Sequence, residues 1–271
     1  MLFRSVSAIV STFQTSFTNL TVIQPGPQIL PTSFVNAASF APGLTPCGLG
    51  IIQGTGIATG VNGTLAPTGF GPNPTTLGPV QSLTIGGMAA PLTSVSNVGG
   101  VERVGFQTPC GTPVGSTTVV MNVQGGITTV NAVPVAAYSP GIFETVAPDG
   151  KLYAVALRAD GSFVGPANPA TRGEVIRIFV TGLGQTTPAI GTNRAGTGGQ
   201  TVNAQIIAGV NYAGVLVVKA EYVAGQIGTY FVDIQIPTDT ATGPYQPIAV
   251  AVQPPDGSAF VFGNGVSIPI Q

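Results

Sequence analysis

"GTYFVDIQI", residues 228–236, sets aromatic and β-branched residues between a glycine and Pro237, which is the signature of one short β-strand. Its core, "VDIQIP" (232–237), matches "VGFQTP" (104–109), and four more pairs follow the same order along the chain. "SFVNAASFAPG" from Ser33 matches "SFVGPANPATRG" from Ser162, and "TGI" from Thr55 matches "TGL" from Thr181. "IGG" from Ile85 matches "IAG" from Ile207, and "VPV" from Val133 matches "IPI" from Ile268. Ordered matches at similar offsets mean that one unit is written twice, with a boundary near "AAYSPGIF" (136–143).

The unit is β. With 39 Gly and 24 Pro scattered along 271 residues, no stretch sustains the i, i+3, i+4, i+7 apolar pattern of a helix. "STTVVMNV" (116–123), "EVIRIFV" (174–180), "AGVLVVKAEYV" (213–223) and "PIAVAV" (247–252) read as further strands between turn residues, at sandwich spacing. "YAVALRADGSFV" (153–164) reads as a hairpin, with Asp160-Gly161 supplying the turn. The expected fold is all-β: two tandem Ig-like β-sandwich domains.

The repeat also divides the N-terminus. In the second copy a strand near Tyr153–Leu157 precedes the "SFV" element; the one strand-like run before the first "SFV" is "NLTVI" (19–23). The expected layout is therefore an N-terminal extension, 1–17, a first sandwich over 18–137 and a second over 138–271. Residues 1–10, "MLFRSVSAIV", lack a small-residue cleavage site and read as mature chain.

"VNAASFAPG" (35–43), "GIIQGTGI" (50–57), "IGGMAAPL" (85–92), "SPGIF" (139–143), "GPANPATRGEVIRIFVTGLG" (165–184) and "YFVDIQIPTDTATGPYQPIAV" (230–250) together resemble the Solibacter-type uncharacterised C-terminal module. The resemblance spans about residues 33–271 and implies a tandem Ig-like β-sandwich region of secreted or surface proteins of Acidobacteria. It carries over no catalytic or binding residue. Cys47 and Cys110 depart from the family pattern, as does the lack of a large domain before the repeat.

Charge is scarce: eight Lys+Arg and nine Asp+Glu make 6% of the chain, and residues 5–101 carry none. A net charge of −1 gives copies little mutual repulsion, so self-association is expected. Nucleic acid is excluded as a partner, because counterion release needs clustered Lys and Arg. No apolar run of about 18 residues offers a membrane span.

The inventory also argues against an enzyme. With no histidine there is no Ser-His-Asp or Cys-His arrangement and no histidine metal site. The first half has Glu102 as its one carboxylate, next to Arg103, while Asp149, Asp160, Asp239 and Asp256 stand in turn contexts where an aspartate caps its own backbone. "GTGIATG" (54–60) lacks the spacing and the following helix of a phosphate loop and reads as a sandwich loop. No catalytic residue, cofactor or metal is expected. The aromatic residues, none of them Trp, read as core packing rather than as a sugar-stacking platform.

Cys47 and Cys110 both stand in "TPCG". They are either two buried thiols or one disulfide, and the matched loop contexts lead us to expect the disulfide. Such a bond places the protein outside the cytoplasm, at or beyond the bacterial cell surface.

The expected function is an extracellular structural subunit that polymerises head to tail with copies of itself. Pro25, Pro27 and Pro31 hold "QPGPQILPT" (24–32) extended, so that about 28 Å of linker carries residues 5–17 to a neighbour's open sheet edge. Val6, Ala8 and Val10, then Phe13 and Phe17, are the expected subunit contacts. The alternative is a surface adhesin or glycan-binding module, with a cell-surface glycan as partner.

Overall fold

The computed structural model describes residues 26–68 and 71–271. Among them the chain is all-β, with one 3-10 turn, Pro31–Ser33, as its helical element. The first half contributes β1 (Phe34–Asn36), β2 (Leu49–Gly54), β3 (Gly63–Leu65), β4 (Val80–Ile85), β5 (Met88–Ala89), β6 (Leu92–Val98), β7 (Val101–Gln107), β8 (Gly115–Val123) and β9 (Gly126–Val135). They form two antiparallel sheets, ordered β1-β2-β7-β6-β3 and β5-β4-β8-β9.

The second half contributes β10 (Gly141–Ile142), β11 (Glu144–Val146), β12 (Leu152–Ala154), β13 (Ala156–Leu157), β14 (Val175–Thr181), β15 (Thr186–Thr187) and β16 (Thr201–Val202). β17 (Gln205–Val210), β18 (Ala213–Val215), β19 (Val217–Tyr222), β20 (Tyr230–Gln235), β21 (Gly243–Gln253), β22 (Val261–Phe262) and β23 (Val266–Ile270) complete it. One sheet runs β10-β14-β20-β19-β16-β15 with β13 also on β14, and the other runs β18-β17-β21-β22 with β23 also on β21. β11 and β12 form a separate two-stranded hairpin.

Period-two alternation builds the cores. Along β14, Ile176, Ile178 and Val180 are fully buried while Val175, Arg177 and Phe179 point outward. One apolar cluster gathers residues between Ile29 and Val135, and a separate one gathers residues between Ile142 and Ile270. Each fully buried Ile or Val side chain contributes about 2 kcal/mol through area removed from water.

The two sandwiches superpose strand on strand by their hydrogen bonds. Ile52 pairs with Val104 as Ile178 pairs with Val232. The parallel bridge between Leu44 and Val135 has its counterpart in Ala170 and Ile270, and the pairing of Gln28 with Thr55 has its counterpart in Gly141 with Thr181. Three of the sequence matches, those of "TGI", "VGFQTP" and "VPV", agree with this register.

The other two slip. Ile85 ends β4 at a hairpin turn made by Gly86 and Gly87, but the second hairpin turn is at Asn211–Tyr212, so Val210 and not Ile207 is the counterpart of Ile85. Phe34 pairs with Ile52 where Ala156 pairs with Ile178; Phe163 bridges Leu157 instead, closing the expected Asp160-Gly161 hairpin. "AGVLVVKAEYV", read as one strand, breaks after Val215 and crosses from one sheet to the other as β18 and β19.

These registers change the reading of the N-terminus. Gln28 is the counterpart of Gly141, and residues 26–32 are part of the first sandwich instead of a linker. Thr128 Oγ1 donates to the Pro27 carbonyl at 2.6 Å, Gln28 N donates to the Thr55 carbonyl at 2.9 Å, and Ile29 is buried. "NLTVI" and the contact residues Val6, Ala8, Val10, Phe13 and Phe17 lie outside the described residues.

Candidate functional site

Most carboxylates are committed to structure. Asp149, Asp160 and Asp256 each accept a backbone N–H two residues on, at 2.9 to 3.0 Å, and these bonds lead the effects that hold Asp160 and Asp256 below the usual carboxylate range. For Asp149 the largest such effect is the Tyr153 hydroxyl at 2.8 Å. Asp239 makes no such bond among the described residues. Glu102 Oε2 accepts from Ile57 N at 2.7 Å and Ala58 N at 3.0 Å, so the N–H groups of the "GTGIATG" loop already hold an anion. No group of three or more metal-ligating side chains occurs among the described residues.

Of the three ion pairs found among the described residues, Arg177–Asp233 and Lys219–Glu221 lie on the outer face of the β14-β20-β19 sheet, and Arg158–Glu174 lies just beyond the ends of β13 and β14. Arg177 meets Asp233 through Nε and Nη2 at 2.8 and 2.9 Å, with its guanidinium 3.7 Å from the Phe231 ring centroid. Arg158 pairs with Glu174 at 2.9 Å and Lys219 with Glu221 at 3.1 Å. Beside them a groove of about 540 Å³ is lined by Phe143, Phe163, Phe179, Leu49, Glu144 and Gln226, among others. Burial raises the Glu144 carboxyl above its ordinary value. Phe163, 67% exposed, is an aromatic side chain that the core-packing expectation misplaced.

The most elaborate polar site is the seam between the sandwiches. Gln107, fully buried at the end of β7, donates through Nε2 to the Cys47 carbonyl at 3.2 Å and to the Tyr222 hydroxyl at 3.4 Å; its Oε1 accepts from Asn193 N at 2.7 Å. Asn193 also pairs with the backbone of Asn73 at 2.7 and 2.8 Å. Leu49 N donates to Thr181 Oγ1 at 2.9 Å and Cys110 N to Thr192 Oγ1 at 2.9 Å. At Gly228, φ +72°, a Cβ would lie 2.5 Å from Leu49 Cδ2, so the close approach needs glycine.

Cys47 and Cys110 are joined as a disulfide at the edge of this seam, with Cα atoms 4.2 Å apart. The repeat shows what stands there in the other copy. Cys47 N donates to Thr108 O and Gly173 N to Ile236 O, so Gly173 and Thr238 are the counterparts. Both turn residues are left-handed, Cys47 at φ +64° and Gly173 at φ +84°. The sequence pairing of the cysteines needed only their matching contexts; the seam needed knowledge of which strand ends face each other.

Tyr222 and Tyr230 pack edge to face across the core side of the seam, 4.9 Å between centroids. Burial pushes the Tyr222 hydroxyl up to about 12 and raises that of Tyr230 as well. The folded protein thus holds these protons more tightly than the unfolded chain, and the stability they contribute is complete below about pH 10 and is lost as pH rises through about 12. With no histidine and both cysteines bonded, we expect urea midpoints that stay flat from about pH 6 to 9 and fall above pH 10, an alkaline loss that Tyr222→Phe reduces.

No family model matches the chain, and no curated protein matches it. Among solved structures, it is similar to the Bacteroides ovatus mixed-linkage glucan utilization locus SGBP-B in complex with a mixed-linkage heptasaccharide, with 11% identity and a TM-score of 0.35 over 92% of this chain and 46% of that one. The I9–I11 tandem from titin matches at 8% identity and a TM-score of 0.21, covering 84% of this chain and 62% of the other. The chain spans about half the length of the first.

Proposed function

We propose that the protein is a non-enzymatic, extracellular structural protein of a bacterial surface, a subunit of a head-to-tail homopolymer. In it, residues 5–17 of one copy complete a sheet of the next, with Val6, Ala8, Val10, Phe13 and Phe17 as anchors. The observation that carries this reading is the repeat register. The pairing of Gln28 with Thr55 answers that of Gly141 with Thr181, which fixes the register of the two copies, and residues 5–17, uncharged, have no counterpart in the repeat. Supporting it are the sparsely charged surface of the first sandwich, with Glu102 and Arg103 as the charged side chains among its described residues and so little repulsion of a neighbour, the commitment of most carboxylates to turns and ion pairs, and a disulfide suited to an oxidising compartment.

A labelled peptide of residues 5–17 tests it. We expect saturable binding to protein lacking residues 1–17, weakened at least tenfold by Phe13→Asp with Phe17→Asp in the peptide. Equal binding of a scrambled peptide would count against strand addition.

A glycan-binding module is the second reading, favoured by the groove of Phe143, Phe163 and Phe179 beside Glu144 and Gln226. Aromatic faces stack on sugars while the polar pair orients hydroxyl groups. Titration with soluble glucans decides it, binding that Phe163→Ala abolishes being the supporting result.

A further inference from the structure

We infer that copies of this chain join by repeating, between molecules, the seam that joins the two sandwiches within one. The inference rests on the head-to-tail reading above and identifies its interface. Through the repeat register, each surface that meets at the seam has a counterpart at the opposite end of the molecule.

The first surface belongs to the first sandwich: Cys47, Leu49, Gln107 and Cys110. Its counterparts on the second are Gly173, Val175, Gln235 and Thr238. This end is built the same way but lacks a cover. Gln235 Nε2 donates to the Gly173 carbonyl at 3.2 Å, as Gln107 Nε2 does to that of Cys47, yet among the described residues its Oε1 accepts nothing, whereas Oε1 of Gln107 accepts from Asn193. Gln235 N donates to the Leu216 carbonyl as Gln107 N does to that of Pro91; Pro91 is buried and Leu216 is 61% exposed. A cleft of about 320 Å³ runs along Leu216, Gln235 and Thr238.

The second surface belongs to the second sandwich: Thr181, Tyr222, Val223 and Thr229. Its counterparts on the first are Thr55, Asn97, Val98 and Val101. Thr181, Tyr222 and Thr229 are buried and Val223 is half-buried, but Thr55 is exposed, and Val98 and Val101 are 60% and 48% exposed. Each end of the molecule thus presents, uncovered, what the seam covers, and the two ends are complementary to each other rather than to themselves. Such a contact does not close on two copies; it propagates into a filament.

The occupant is therefore a second copy, its Thr55 and Val98 loops seated on Val175 and Gln235.

Two variants test the contact in the full-length protein. Within the molecule Leu49 N lies 2.9 Å from Thr181 Oγ1, so between molecules residue 175 meets residue 55 at a range a disulfide can span. Thr55→Cys with Val175→Cys in one chain should give, after mild oxidation, a ladder of covalent oligomers on a non-reducing gel, while either substitution alone gives dimers at most. Gln235→Arg should lower the mass of polymer at least tenfold with its unfolding midpoint unchanged. Wild-type polymerisation by Gln235→Arg overturns the inference, whatever the cysteine pair does. If protein lacking residues 1–17 forms no fibres while Gln235→Arg forms them normally, copies join by the strand alone and the proposed function stands without this interface. If the truncated cysteine pair still forms the ladder and the fibres, the interface stands and strand exchange falls.

Discussion

Replacing both cysteines by serine should lower the stability of the first sandwich by about 4 kcal/mol. The bond links residues 63 apart in sequence, and opening a loop of that length releases about this much chain entropy in the unfolded state. The repeat supplies a control that an isolated disulfide would lack. The second sandwich fills the same two positions with Gly173 and Thr238, and its turn is left-handed like that of Cys47. Cys47→Gly with Cys110→Thr should therefore recover about 1 kcal/mol of the loss, because glycine takes φ near +64° without steric cost. Urea unfolding of the two double variants beside wild type checks both values. Equal midpoints for the two variants would show that the turn at Cys47 is unstrained.

Gln107→Leu should cost about 3 kcal/mol, and Gln235→Leu less than about 1. The two glutamines occupy equivalent strand ends, so helix or strand propensity cancels between them. They differ in what is left behind. Leucine at 107 leaves the Asn193 N–H and the Cys47 carbonyl without their shared partner inside the seam, while the Tyr222 hydroxyl keeps the Gly228 N–H, and each unsatisfied buried group costs about 1 to 3 kcal/mol. At 235 the one bond lost is that to the Gly173 carbonyl, at a surface open to water. Calorimetry on both variants measures the difference. The loss at 107 should also uncouple the sandwiches, so that a single transition separates into two.

The residues made the fold readable because it rests on period-two alternation and on a repeat. "VDIQIP" and "VGFQTP" sit on the central strands of their sheets, where register is fixed by burial on one face, and there the match holds residue by residue. "IGG" falls at a hairpin end, where glycine-rich tripeptides recur for turn chemistry alone, and "SFV" enters a strand after a 3-10 turn in one copy but follows the Asp160-Gly161 turn in the other, and there the match slipped. The linker reading of residues 26–32 failed for a related reason: the second copy carries the β11-β12 hairpin between Ile142 and Ala156, whereas the first copy crosses the corresponding gap with Leu30–Ser33, which hides the kinship of Gln28 and Ile29 with Gly141 and Ile142.

The seam was not legible, although one clue stood in the open. Both members of the best match end in Gln followed by an apolar or small residue and Pro, and a polar side chain kept at one strand end in two copies has a structural task. What the residues do not encode locally is that the end of the first unit meets the loops of the second. The same gap hid the aromatic groove. Phe143, Phe163 and Phe179 come from a strand edge, a hairpin and a central strand, and the sheet alone brings them to one face.

The central claim is that the molecule is made to extend by copies of itself, and negative-stain electron microscopy of full-length protein beside protein lacking residues 1–17 tests it most directly. The account predicts uniform unbranched fibres from the full chain and dispersed single particles from the truncated one. Fibres of the same width and length from both, or dispersed particles from both at concentrations where the full chain is soluble, would contradict it.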